Sequence, residues 1–153
     1  MRAIEAINTN DLVLFKSIIT EGVDTKAVDA VGRNLIFYSV IEGRLNFLNE
    51  VVSLYDLNLK DKLGWSALHY AAQENKLAEA QLLINHGADL NNTDNYGNTV
   101  IWRAVFTSKG RGEMIKLLLS HGANPTIENN KGVSALTLAN RIDNYNVAQF
   151  FNE

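Results

Sequence analysis

No cysteine occurs among the 153 residues, so a disulfide framework, a thiolate metal site and a cysteine nucleophile are all excluded. Proline is nearly absent too: Pro125 stands alone against ten glycines, and turns must rely on Gly, Asn and Asp. No stretch approaches the roughly 18 consecutive apolar residues that a membrane-spanning helix needs. The richest run, Leu35 to Ile41, is interrupted by Tyr38 and Ser39. The amino terminus, MRAIEAINTNDLVLFKSIITEGVD, lacks the apolar core and small-residue cleavage site of a signal peptide. Excess positive charge is missing as well. Fourteen Lys+Arg against 17 Asp+Glu leave a net charge of −3 and a pI near 5.6, unlike the basic footprint of a nucleic-acid binder. The expectation is a cytoplasmic protein that engages neither nucleic acid nor membrane. What is present is ordinary: 46% hydrophobic and 20% charged residues, enough for about one folded domain.

The chain repeats itself. Asp29-Ala-Val-Gly32-Arg-Asn-Leu-Ile-Phe37, Asp61-Lys-Leu-Gly64-Trp-Ser-Ala-Leu-His69, Asp94-Asn-Tyr-Gly97-Asn-Thr-Val-Ile-Trp102 and Asn129-Asn-Lys-Gly132-Val-Ser-Ala-Leu-Thr137 carry the same punctuation. Their glycines are separated by 32, 33 and 35 residues, the period of a stacked repeat architecture. A second motif recurs in phase: Gln81-Leu-Leu-Ile-Asn-His86-Gly-Ala-Asp matches Lys116-Leu-Leu-Leu-Ser-His121-Gly-Ala-Asn, with an earlier copy in Lys16-Ser-Ile-Ile-Thr-Glu21-Gly-Val-Asp24. Asp-x-x-Gly is a turn signal, because a carboxylate bonds backbone amides and glycine tolerates positive φ. Ser66, Thr99 and Ser134 follow the glycine by two residues, where each can cap a helix. A short helix rich in small residues, a polar turn and a second helix complete the unit, and Gly87 takes the place of a left-handed C-terminal cap.

These residues resemble the ankyrin repeat family. Ser66-Ala-Leu-His-Tyr-Ala-Ala72 and His86-Gly-Ala-Asp-Leu-Asn91 stand where that family has its TPLHxAA and GADVN stretches. The resemblance implies an all-α ankyrin-repeat solenoid of stacked helix–turn–helix units with hairpin-like turns, filling 1–153 as one domain. Its units are 1–28 (a cap), 29–60, 61–93, 94–128 and 129–153 (a cap). The second unit departs at Leu54-Tyr-Asp-Leu-Asn58, which lacks the glycine and is one residue short. The fourth carries two extra residues in Thr107-Ser-Lys-Gly-Arg-Gly112.

Catalysis finds little support. His69 lies on a first helix, where the resemblance implies a ring hydrogen-bonded to the cap. His86 and His121 sit at helix C-termini, where a cation is favoured, and lack the i, i+4 spacing of a metal pair. Asp89 to Val100 begins like a calcium loop but has Asp94 where glycine is required and Val100 where Glu is required. Ser108 to Gly112 follows a helix and does not match a phosphate-binding loop, and no serine lies in a GxSxG elbow. The chain is read as a non-enzyme without metal or cofactor.

What remains is surface. The resemblance implies that residues flanking the turn glycines project from a row of tips and that the first helices line the adjoining concave face. Within that stripe Arg33, Tyr38, Leu63, Trp65, Tyr70, Tyr96, Arg103 and Phe106 form the candidate protein-binding set, since Trp, Tyr and Arg dominate binding hot spots. Trp102 is expected to pack internally. The expected partner is another protein, a basic enzyme or toxin blocked in the manner of an immunity protein, with the chain monomeric when free. The alternative is an adaptor that bridges other proteins.

Overall fold

The computed structural model describes residues 2–153. Its α-helices are α1 (Arg2–Asn8), α2 (Leu12–Glu21), α3 (Leu35–Ile41), α4 (Leu45–Val51), α5 (Ala67–Gln73), α6 (Leu77–Asn85), α7 (Val100–Thr107), α8 (Glu113–Ser120) and α9 (Ala135–Arg141). A 3-10 helix, Val147–Phe151, closes the array. The odd-numbered helices pack on one another as an inner row, and the even-numbered ones, ending in the 3-10 helix, form an outer row. This is an all-α repeat solenoid.

Helices this short would not persist alone, so their ends are fixed by sequence and their stability comes from stacking. Thr99 accepts from the Trp102 amide at 3.2 Å and Ser134 from the Thr137 amide at 3.1 Å. Asn34 does the same for the Ile36 amide at 3.0 Å, a cap that the Ser/Thr pattern does not announce. The inner helices stop where the backbone turns left-handed, at Gly43, Asn75 and Lys109. The outer helices α6 and α8 stop before Gly87 and Gly122, both at positive φ, while α4 ends without such a glycine. There Asp56 closes a tight turn on the Asn58 amide at 2.9 Å, and Tyr55 and Leu57 are buried in place of the missing motif.

The core is a ladder of layers. Ile7 and Phe15 belong to the first, Ile36, Val40 and Leu48 to the second, Leu68 and Leu83 to the third, Ile101, Ile115 and Leu118 to the fourth. Phe15 and Phe47 bridge the outer row with ring centroids 4.9 Å apart. Each layer buries its apolar face only against its neighbours, which makes stability a sum of interfaces.

Between units the chain makes a narrow turn. Asp61 and Trp65 pair across it at 2.9 Å, and so do Asp29 and Arg33 at 2.9 Å, Asp94 and Asn98 at 3.0 Å, and Asn129 and Val133 at 3.1 Å. The turns also bond to one another. The Lys62 amide donates to the Val31 carbonyl at 2.9 Å, Asn95 to Leu63 at 3.1 Å and Asn130 to Tyr96 at 2.9 Å. The approach is close enough to require glycine: at Gly64, with φ +78°, a Cβ would lie 2.6 Å from the Asn95 amide nitrogen.

Candidate protein-binding surface

The first residue of each turn organises everything around it. One oxygen of Asp29 accepts from the amides of Val31 and Arg33 at 2.8 and 2.9 Å. The corresponding atom of Asp61 takes Leu63 and Trp65 at 2.9 and 3.1 Å, and that of Asp94 takes Tyr96 and Asn98 at 2.9 Å each. The second carboxylate oxygen then needs its own donor, because Asp61 and Asp94 are buried and a bare charge there would be costly. That donor comes nine residues on, from the inner helix. Tyr38 donates to Asp29 at 2.6 Å, Tyr70 to Asp61 at 2.6 Å and Arg103 to Asp94 at 3.1 Å. The last turn starts with Asn129, whose amide carries no charge, and position 138 is Leu. The Asn129 side chain instead donates to Asn98 Oδ1 at 2.8 Å.

Arg33 reaches from the second unit into the third. Its Nε lies 3.3 Å from Asp61, a terminal nitrogen 2.5 Å from the Tyr70 hydroxyl, and its guanidinium 4.9 Å from the Tyr70 ring centre. Burial, reinforced by the bond to Asp61, pushes the Tyr70 hydroxyl up to about 12. It therefore donates to the carboxylate throughout the physiological range. The bond to Asp29 likewise raises the Tyr38 pKa. One unit along, Trp65 lies against Tyr70 with centroids 4.8 Å apart and receives the Arg103 guanidinium 4.5 Å over its ring. Arg103 thus joins an aromatic face of one unit to the carboxylate of the next.

Arg33, Tyr38, Trp65, Tyr70 and Arg103 are therefore half-buried and already engaged, several of them across unit boundaries. The signal that distinguishes them is the spacing of acid and donor, Asp29 with Tyr38, Asp61 with Tyr70, Asp94 with Arg103, and its absence in Asn129 with Leu138. Leu63, Tyr96 and Phe106 have the other fate: they are 50%, 67% and 59% exposed. Val31, at the matching tip position, is exposed as well. Because the tip carbonyls accept from the following turn, Val31, Leu63 and Tyr96 form one continuous row. Phe106 stands on the neighbouring helix, its ring stacked on Trp102 at 5.3 Å. Beside it a cavity of about 250 Å³ opens between Phe106, Leu138, Ile142 and Tyr145. Tyr145 belongs to this surface although no repeat position marks it.

The histidines take structural positions. His69 is fully buried, its Nδ1 accepts from the Ser66 amide at 3.1 Å, and its Nε2 faces the Asn98 carbonyl of the next turn at 3.2 Å. With Nδ1 as acceptor, Nε2 carries the proton, and desolvation lowers the ring's pKa to about 4. The ring is a neutral strut between units. His121 lies 3.2 Å from Gln81 of the preceding unit and His86 bonds the Leu82 carbonyl at 2.9 Å. Trp102 occupies the His69 position in its unit and is half-buried.

A family model of ankyrin repeats matches residues 1–94 and 44–129. The chain belongs to the ankyrin repeat family. An ankyrin repeat-containing protein of Treponema pallidum is 31% identical over 137 residues, which is 86% of this chain and 44% of that protein. An intracellular phospholipase A2 of Caenorhabditis elegans is 34% identical over 124 residues, 76% of this chain but 12% of the enzyme. Ankyrin repeat protein 14 of vaccinia virus is 37% identical over 93 residues, 60% of this chain and 37% of the viral protein. The chain thus spans less than half the length of these relatives. Ankyrin repeats are protein–protein interaction modules, so the surface is one for holding another protein. Among the described residues no helix is long and apolar enough to cross a membrane.

Proposed function

We propose that the chain is a non-catalytic module that grips a partner protein along its turn tips. The observation that carries this is the row of Val31, Leu63 and Tyr96, exposed apolar side chains fixed in register by backbone hydrogen bonds and flanked by Phe106. Apolar anchors on a rigid frame lose little entropy on binding, which is what a hot spot requires. The single repeat domain spans 1–153 on this reading.

The finer reading is inhibition of a basic enzyme or toxin in the cytoplasm, with the chain monomeric when free. The turn carboxylates are withdrawn into the stack, so negative charge for such a partner is offered by the exposed Glu42 and Glu74, which cap the ends of α3 and α5. Cations of the partner would meet these carboxylates while its apolar residues meet the tips. A second reading, an adaptor within a larger assembly, is favoured by the greater length of the relatives. Photo-crosslinkers placed at Leu63 and at Tyr96 separate these. Inhibition predicts one crosslinked enzyme whose turnover stops at a stoichiometric amount of chain. Several non-enzymatic partners speak for the adaptor, and crosslinks absent from both positions contradict the tip row.

A further inference from the structure

Every turn in the array is covered by the turn before it, except the first. The Lys62, Asn95 and Asn130 amides each donate to the tip carbonyl of the preceding turn. The equivalent donor of the first turn is the Ala30 amide, and among the described residues it has no acceptor. Directly beside it, where a preceding turn would lie, is a cavity of about 480 Å³. Ile4, Ile18, Leu35, Tyr55 and Val28 line it, and Val28 is 49% exposed. Arg2 and Asp24 at its margin bring charges of both signs and so favour neither an anion nor a cation. The volume falls in the range of ligand-binding pockets and is ample for a large apolar side chain.

We propose that this outer edge is a second binding site, which receives a turn-forming segment of another polypeptide. The periodicity identifies the occupant: in this molecule the thing that bonds the donor after a turn aspartate is the carbonyl of another turn of the same kind. The guest's tip carbonyl accepts from the Ala30 amide, and one bulky aliphatic or aromatic side chain of the guest fills the cavity. The guest continues the ladder by one rung. This site lies at the end of the array and is independent of the tip row.

The test is a titration of the isotope-labelled full chain with a peptide copying residues 57–66, the segment that in the molecule itself sits on the turn beginning at Asp94. Saturable shifts are expected at the Ala30 amide and at the methyls of Ile4, Ile18, Val28 and Leu35. Ala30→Pro should weaken the peptide at least tenfold without moving the unfolding midpoint. Ala30 is the second residue of a turn closed by the Gly32 amide on the Asp29 carbonyl at 3.1 Å, a position where proline is favoured. Val28→Glu should abolish binding by placing a charge at the cavity mouth, and Tyr96→Asp should leave it unchanged. No saturable shift, shifts along Leu63 and Tyr96 instead, or undiminished binding by the Ala30→Pro chain would overturn the proposal. Equal shifts on raising the concentration of the chain alone would overturn it too, since a second copy would then be the occupant.

Discussion

The turns beginning at Asp61 and Asn129 differ by one functional group, and the surroundings differ accordingly. Both use one side-chain oxygen to bond the amides two and four residues on. At Asp61 the second oxygen is charged and buried, and it gathers Tyr70 and the Arg33 guanidinium of the preceding unit. At Asn129 the second group is a neutral amide that donates to Asn98, and no donor occupies the inner helix. The carboxylate costs more to bury and in return ties two units together. The amide is cheaper and serves the closing unit, which has no successor to hold.

The largest consequence should follow from deleting the charge where it is most buried. Asp61→Ala leaves Arg33 and Tyr70 unpartnered and should destabilise by about 3–5 kcal/mol, against about 1–2 kcal/mol for Asn129→Ala. Chemical denaturation of the two variants measures both, and equal losses would dissolve the distinction. Next in size is an effect of pH. His69 holds its folded pKa at about 4, below the ordinary 6.5, so between these values the unfolded chain binds a proton that the folded chain refuses. Stability is complete above about pH 6.5 and should fall by up to about 3 kcal/mol as pH drops to about 4. The matching position of the closing unit, Thr137, has no such group, so His69→Gln should flatten the pH profile of unfolding.

Smaller still is the hydroxyl alone. Tyr70→Phe keeps the ring against Trp65 and Phe37 but strips the donor from Asp61, and should cost about 1–2 kcal/mol. The smallest expected change sharpens the comparison by transplanting it. Asn129→Asp alone should destabilise, since the new carboxylate lacks a donor, and Asn129→Asp with Leu138→Tyr should recover about 1 kcal/mol of that loss. Recovery absent from the double variant would show that the nine-residue spacing is incidental.

Much of this molecule can be read from its residues. Period, caps at Ser66, Thr99 and Ser134, and the glycines that let turns approach are local signals, written in each unit and legible without coordinates. The division of the surface is not local. Trp65 and Tyr96 both stand next to a turn glycine and both look like binding residues. One is covered by an arginine that reaches it from the next unit, and the other is not. That difference depends on what a side chain 38 residues away does, Trp65 to Arg103, and only the stacking of units reveals it. The acid-to-donor spacing was visible, but its meaning required knowing that the second oxygen of Asp61 is buried.

The account holds that adjacent turn positions have opposite tasks, those facing the neighbouring unit holding the stack and those at the tip left free to bind. Thermal unfolding of Trp65→Ala beside Tyr96→Ala tests this without any partner. Trp65→Ala should lower the midpoint by on the order of 5–10 °C, having lost its contacts with Tyr70 and Arg103, and Tyr96→Ala should leave it within about 1 °C. A midpoint that falls as far for Tyr96→Ala as for Trp65→Ala would contradict it.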